Sequence, residues 1–297
     1  MYPAPFNYHR AKSLGEAIGM LSELGEGARV LAGGQSLLVL LKMRFDEPSD
    51  LVDIGRIPDL DRIDDSGNEV AIGALATHRR IAASALAKAI PIIGDCANGI
   101  ADNQVRTRGT IGGSVASGDP NCDWPVLLHT LDAQIDCQGP NGSRTLDING
   151  FVEDYFQTIL TPGEIVKSIR FNKPGPGSGG AYCGFKRCAP AYPTVSVGVQ
   201  FSLIGQQVKS ARIAIGSAGP VAHRASAAEA ELEGQTLSAE RINKAAEAAA
   251  ASLDPVEDQR GSAEFKRRVI VAMTRRAIGI AQRRSNGETI KNGPEYY

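Results

Sequence analysis

Two stretches of the chain place hydrogen-bond donors where an anion could be gripped. The first, Arg29-Val30-Leu31-Ala32-Gly33-Gly34-Gln35-Ser36-Leu37-Leu38, is a short apolar strand that breaks at a glycine pair and restarts as an apolar helix. A turn of this kind leaves backbone N–H groups unpaired at a helix start, where the partial positive charge favours a phosphate. The second, Thr110-Ile111-Gly112-Gly113-Ser114, has the same chemistry. Glycine lets the backbone approach an oxygen-rich group closely, and Gln35, Ser36, Thr110 and Ser114 add side-chain donors. Neither turn is a Gly-x-Gly-x-x-Gly fingerprint and neither has the lysine of a P-loop, so Rossmann and NTPase readings are unsupported. Taken singly, each turn is accounted for as a tight connection between packed elements. Together they point to one anionic cofactor gripped from two sides.

The elements that must position these turns alternate between helix and strand. Ser13 caps a helix, with Glu16 completing a capping box, and Leu14, Ala17, Ile18, Leu21 and Leu24 recur at helical spacing until Gly25 and Gly27 stop it. A strand at 28–31, a helix at 36–43 and a strand at 50–54 complete a small α/β unit over residues 1–55. Residues 56–175 form a second unit: a strand at 70–74, a helix capped by Thr77, an alanine-rich helix at 80–90 and a helical stretch at 91–100. A polar loop is expected at 105–113, a hairpin around Gly139-Pro140-Asn141-Gly142 and a strand at 165–171. Lys173-Pro174-Gly175-Pro176-Gly177-Ser178-Gly179-Gly180 is a cluster of breakers and marks the domain boundary. A third unit at 181–285 has antiparallel strands at 194–203 and 211–215 and helices at 224–252 and 262–284, followed by a polar, frayed tail at 286–297. The fold class is α+β.

Composition narrows the function classes. With 32 basic and 33 acidic residues the net charge is −1, so no global field attracts nucleic acid or an anionic membrane. The basic residues between Lys266 and Arg284 interleave with Phe265, Val269, Ile270, Met273 and Ile280, which makes an amphipathic helix with a solvated or subunit-contacting face. No run approaches the roughly 18 apolar residues that span a membrane, and the N-terminus has no signal pattern. The five cysteines, Cys96, Cys122, Cys137, Cys183 and Cys188, contain no Cys-x-x-Cys pair or ferredoxin spacing, which argues against a zinc ribbon or an iron–sulfur cluster within this chain. An odd count suits a reducing compartment, and a cytoplasmic location is expected.

The ordered set Ala32-Gly33-Gly34-Gln35-Ser36-Leu37-Leu38, Lys42-Met43-Arg44, Ala76-Thr77-His78 and Thr110-Ile111-Gly112-Gly113-Ser114, with Asp119-Pro120 and Asp123, closely resembles the FAD-binding medium subunit of molybdenum hydroxylases. That family includes aerobic carbon monoxide dehydrogenase, xanthine dehydrogenase and N-heterocycle dehydrogenases, and the resemblance runs over about residues 1–285. It implies a two-part FAD domain of the vanillyl-alcohol-oxidase type followed by a small α+β domain. Residues 32–37 and 110–114 would hold the FAD pyrophosphate and its neighbouring sugar from two sides, with Thr77 and His78 belonging to the same set. By the same resemblance Asp123 would contact the ribityl chain or the adenosine side, and Ile100 and Leu160 would lie near the isoalloxazine. Lys186 would stand at the flavin's polar edge, where a cation stabilises the reduced anionic form, and Tyr192 would cover the ring. Ser114 replaces the asparagine more usual at its position.

Each residue also has an ordinary explanation. Thr77 serves as a helix cap, His78 as a first-turn surface residue, Asp119-Pro120 as a turn opener, Lys186-Arg187 as solvated charge and Trp124 as a core anchor. The resemblance favours an electron-transfer flavoprotein subunit without a catalytic or metal-ligating residue of its own. Its partners would be a large molybdenum-cofactor subunit and a small subunit carrying [2Fe–2S] clusters, in a dimer of heterotrimers. The rival readings are a self-sufficient FAD oxidase or dehydrogenase, which requires a catalytic base or covalent flavin link, and a flavin-free interaction subunit. If Gly33 lies against the phosphate, Gly33→Val abolishes FAD retention in a protein that still folds.

Overall fold

A strong cap starts the first helix. In this computed structural model, which describes residues 2–296, the Ser13 hydroxyl accepts from Glu16 N at 3.1 Å and the Glu16 carboxylate accepts from Lys12 N at 2.7 Å. Met1 and Tyr297, the outer ends of the first unit and of the tail, lie outside the described residues. The chain runs β1 (Asn7–Arg10), α1 (Leu14–Leu24), β2 (Ala28–Leu31), α2 (Leu37–Met43) and β3 (Asp50–Asp53). The three strands form a wholly parallel sheet in the order β1-β3-β2. The sequence carries no sign of β1, because Asn7-Tyr8-His9-Arg10 lacks apolar alternation. Ala17, Ile18 and Leu21 of α1 share one core with Val52 and Ile54. Parallel strands end on one edge, the usual place for a ligand crevice, and β2 ends there in the Gly33-Gly34 turn.

The second unit follows with β4 (Ile63–Asp64), β5 (Glu69–Gly73), α3 (His78–Ala82), α4 (Ala85–Ala89), α5 (Pro91–Gly99), α6 (Asn103–Arg108), α7 (Ile111–Ala116), α8 (Asp123–Thr130), β6 (Gln134–Gly139), β7 (Gly142–Asp147), β8 (Val152–Asp154), β9 (Gln157–Thr158) and β10 (Ile165–Asn172). An antiparallel sheet ordered β4-β5-β10-β6-β7 packs on the helices around a core containing Trp124, Leu128 and Ile169. Two expectations are corrected here. The single helix at 80–90 is two helices, because the Ser84 hydroxyl donates to Ile81 O at 2.6 Å and accepts from Ala87 N at 3.2 Å, ending one helix and capping the next. The expected loop at 105–113 contains α6 and the start of α7, capped by Asp102 and Thr110; helices this short and polar have no periodicity to read.

The last unit comprises β11 (Ser178–Lys186), β12 (Pro193–Ile204), β13 (Gln207–Gly216), β14 (His223–Arg224), α9 (Ser226–Leu232), α10 (Ala239–Ala251), α11 (Ala263–Ser285) and β15 (Glu295–Tyr296), with sheet order β14-β13-β12-β11-β15. The helix expected at 224–252 is split at Gly234, which has φ +75°, and restarts at the Ser238 cap. Gly179 and Gly180 are not breakers but strand residues: α11 crosses so closely that a Cβ on Gly179 would lie 1.9 Å from Ala281 O. The tail is tied down rather than frayed, since β15 pairs with β11 in parallel. A buried bidentate ion pair joins this unit to the second: Arg284 Nη1 and Nη2 lie 2.6 and 2.9 Å from the two Asp95 carboxylate oxygens, with both side chains 5% exposed.

Candidate cofactor-binding site

The two glycine turns meet, but they are not chemical twins. Gly33 packs against the end of α6, where a Cβ would lie 2.1 Å from Arg108 O and 3.0 Å from Gly109 Cα. Gly34 then takes φ +72°, which turns the chain into α2. The first helical bonds run from Leu38 N to Gly34 O and from Leu40 N to Ser36 O. The N–H groups of Gly33, Gly34, Gln35, Ser36 and Leu37 donate to no acceptor among the described residues, and the Ser36 hydroxyl makes no cap bond. Gln35 is exposed and reaches back to Gly33 O at 3.3 Å. Ala32, at the end of β2, is half-buried.

The second turn has its N–H groups already engaged. Ile111 N donates to Ala76 O at 3.1 Å, Gly112 N to Ala74 O at 2.9 Å, Ser114 N to Thr110 O at 3.0 Å and Gly113 N to the Thr110 hydroxyl at 3.2 Å. Ile111 and Gly112 face inward, and Gly112 is glycine because a Cβ would sit 2.4 Å from the Ala74 Cβ. Only Gly113 is exposed and Ser114 partly so. The equivalence expected of the two turns is therefore corrected: the first offers free backbone donors, the second an exposed glycine and the partly exposed Ser114 hydroxyl.

Thr77 and His78 stand behind the second turn. Thr77 forms an isolated antiparallel bridge with Thr110, caps α3 through Arg80 N, and His78 N donates to Gly109 O at 3.0 Å. His78 is not a surface residue: it is 4% exposed, and Trp124 Nε1–H donates to its Nδ1 at 2.9 Å. Burial first, and Arg106 second, pull its pKa from 6.5 to about 4. The imidazole is thus neutral at pH 7, with Nδ1 as acceptor and Nε2 against Gly109.

The remaining candidates fall along the seam between the second and third units. Arg106 of α6 donates to Ile100 O at 2.6 Å, which links the Gly33 contact to the end of α5. There Lys186, 1% exposed, donates its ammonium to Gly99 O at 2.6 Å and to no other acceptor among the described residues. Ile100 follows, 8% exposed. Asp123 is buried at the start of α8 and accepts from the Tyr182 hydroxyl at 2.8 Å. Burial raises its pKa, against the opposing charge of Lys186. Tyr192 is half-exposed with its hydroxyl beside Cys122 and Asp119, and burial of that end raises its pKa. Ser114 also lies beside Cys122. Leu160 is half-buried and packs on the second unit's core, the cluster that also contains Ile100. Cavities of about 640 and 450 Å³ lie elsewhere, between α1 and the second sheet and at the 174–178 connection, so neither holds these residues.

Sequence reasoning missed Arg108, Gly109, Gly99 and Tyr182. The first three act through backbone atoms and carry no signal, whereas Tyr182 is the one tyrosine of a glycine-rich strand. The five free N–H groups of the first turn fit an anionic group bearing phosphates, while in the seam the buried Lys186 ammonium is opposed by the charge of the buried Asp123 carboxylate.

Comparison with known proteins agrees with this chemistry. Residues 4–174 match the profile of an FAD-binding domain in molybdopterin dehydrogenase, and residues 180–281 that of a carbon monoxide dehydrogenase flavoprotein C-terminal domain. The carbon monoxide dehydrogenase medium chain of Hydrogenophaga pseudoflava is 39% identical over 282 residues, 95% of this chain and 98% of the relative. A solved carbon monoxide dehydrogenase from the same organism superposes with a TM-score of 0.93 at 41% identity, over 96% of this chain and 99% of the other. Quinoline 2-oxidoreductase from Pseudomonas putida 86 superposes with a TM-score of 0.91 at 32% identity, over 96% and 99% of the two chains.

Proposed function

The chain belongs to the family of FAD-binding medium subunits of molybdenum hydroxylases, and from that premise we propose a residue-level FAD site along the seam. Bound FAD supplies one- and two-electron redox chemistry, and this chain supplies binding and electrostatics. The N–H groups of Gly33, Gly34, Gln35, Ser36 and Leu37 face the pyrophosphate, with Ala32 ending the strand that presents them. Gly113, Ser114 and Thr110 face it from the other side. Thr77, His78, Ile111 and Gly112 serve this second arm indirectly, by bonding it to residues 74–78. Ile100, Leu160 and Tyr192 wall the ring, and Asp123 orients the sugar side.

As the FAD subunit of a multi-subunit molybdenum hydroxylase, the chain takes electrons from the [2Fe–2S] clusters of a small subunit and passes them to an external acceptor. The molybdenum cofactor resides in a large subunit. The relatives support this over a self-sufficient oxidase. We further propose that the assembly is a cytoplasmic dimer of heterotrimers; no helix among the described residues is long and apolar enough to cross a membrane.

The observation that carries the reading is the first turn, whose five backbone N–H groups meet no acceptor among the described residues; Lys186, a buried cation donating to Gly99 O at 2.6 Å with the Asp123 carboxylate as its opposing charge, is the residue on which the reading is tested. Unpaired N–H groups at a helix start favour a phosphate. Lys186→Met keeps the apolar stem and removes the charge. A charge-assisted hydrogen bond is worth ~1.5–3 kcal/mol, so FAD affinity should fall roughly ten- to hundredfold, measured by flavin fluorescence titration. Unchanged affinity would remove Lys186 from the site.

A further inference from the structure

The chain's last residues touch both groups that fix Lys186. β11 carries the lysine and would be the sheet's edge strand, but β15 covers it, with Glu295 opposite Phe185 and Tyr296 opposite Lys186. Upstream in the same tail, Asn292 Nδ2 donates to Tyr182 O at 2.7 Å, and Arg276 Nη2 of α11 donates to Asn292 Oδ1 at 3.3 Å. Ile290 O accepts from Arg284 Nη2 at 2.6 Å, the same guanidinium that clamps Asp95, and Glu288 accepts from Arg283 Nη2 at 2.7 Å. The Pro294 ring lies over Gly99, where a Cβ would stand 3.4 Å from Pro294 Cγ. Gly99 O is the acceptor of the Lys186 ammonium.

We propose that residues 286–296 are a strap that positions Lys186, with Asn292 as its anchor. The inference rests on the reading of Lys186 as an FAD residue. The strap fixes the lysine at both ends: its strand pairing holds the β11 backbone, and its proline packs over Gly99, whose carbonyl accepts from the ammonium. It is held chiefly by polar bonds to the body of the protein, since the run from Asn286 to Pro294 has no apolar periodicity. Such a segment can open without unfolding either core, and opening it frees Lys186 and shortens FAD residence.

The test compares wild type, Asn292→Ala and Glu295→Pro, the proline removing a backbone N–H from β15. Each is produced as the full-length chain assembled with its partner subunits. Three quantities are measured: FAD release after dilution, by recovery of flavin fluorescence; the midpoint potential of the bound flavin; and the urea midpoint of unfolding. Both variants should release FAD about tenfold faster, with a more negative potential and an unchanged urea midpoint. A purely structural role would move the urea midpoint and leave the potential alone. Release within about twofold of wild type at an unchanged potential overturns the strap. A wild-type chain that holds no FAD overturns the FAD reading instead, so the two failures are distinct.

Discussion

Replacing His78 with asparagine tests whether the second arm stands on a neutral imidazole. Asparagine puts an amide oxygen where Nδ1 accepts from Trp124 and leaves nothing to titrate. In the fold the His78 pKa is held at about 4, against 6.5 in an unperturbed chain. Above pH 6.5 the ring is neutral in both folded and unfolded states, and the stability it contributes is fully present. As pH falls from 6.5 towards 4 the unfolded chain takes up the proton and the folded chain does not, so stability is lost across that window. Each unit of separation is worth ~1.4 kcal/mol, which gives a loss of ~3 kcal/mol by pH 4. The assay is urea unfolding of wild type and His78→Asn at fixed FAD, at several pH values from about 7 to 4. The variant starts less stable because its smaller side chain leaves a gap beside Gly109. Its stability should then fall ~3 kcal/mol less over the window, because carboxylates and the other depressed histidines, His129 and His223, titrate alike in both proteins. Parallel curves for the two proteins would refute the argument.

Two substitutions separate packing from ligand contact. In Gly33→Ala the new Cβ would stand 2.1 Å from Arg108 O, so the first unit must shift away from α6. Unfolding stability should fall by about 1–3 kcal/mol together with FAD occupancy; FAD loss at unchanged stability would restore the direct-contact explanation. Arg284→Met leaves Asp95 buried without its partner and should cost ~3–5 kcal/mol by urea unfolding. Adding Asp95→Asn should recover part of that loss, and strict additivity of the two changes would show that the pair is not coupled.

The parts of the fold that were legible in the sequence are those governed by local rules. Ser13, Gly25 and the spacing of Ala17, Ile18 and Leu21 bound α1 because caps and amphipathic spacing act within a few residues. The hairpin of β6 and β7 was equally clear, since Gly139 and Gly142 close it between short flanking strands. The elements that escaped depend on distant partners. β1 is a strand only because β3 lies beside it, and β15 only because β11 offers an edge. The Ser84 break was hidden in alanine-rich sequence, where one hydroxyl decides between one helix and two.

The site divides along the same line, with a sharper consequence. Glycine pairs announce where backbone donors could be free, but whether they are free depends on what the rest of the fold has already bonded. At Gly33-Gly34 nothing among the described residues takes the N–H groups; at Gly112-Gly113 the 74–76 segment and the Thr110 hydroxyl do. Identical-looking motifs thus differ in which donors they leave unpaired. The same reasoning reassigns His78, whose type suggests a ligand contact and whose position makes it a strut between Trp124 and Gly109. It also explains why Lys186 could not be told from solvated charge: Phe185-Lys186-Arg187 alternates as any edge strand does, and only the closing of α5 and the tail over β11 removes that lysine from water. The same closing sets the buried Lys186 ammonium against the buried Asp123 carboxylate of α8, two charges some sixty residues apart that nothing local in the sequence links.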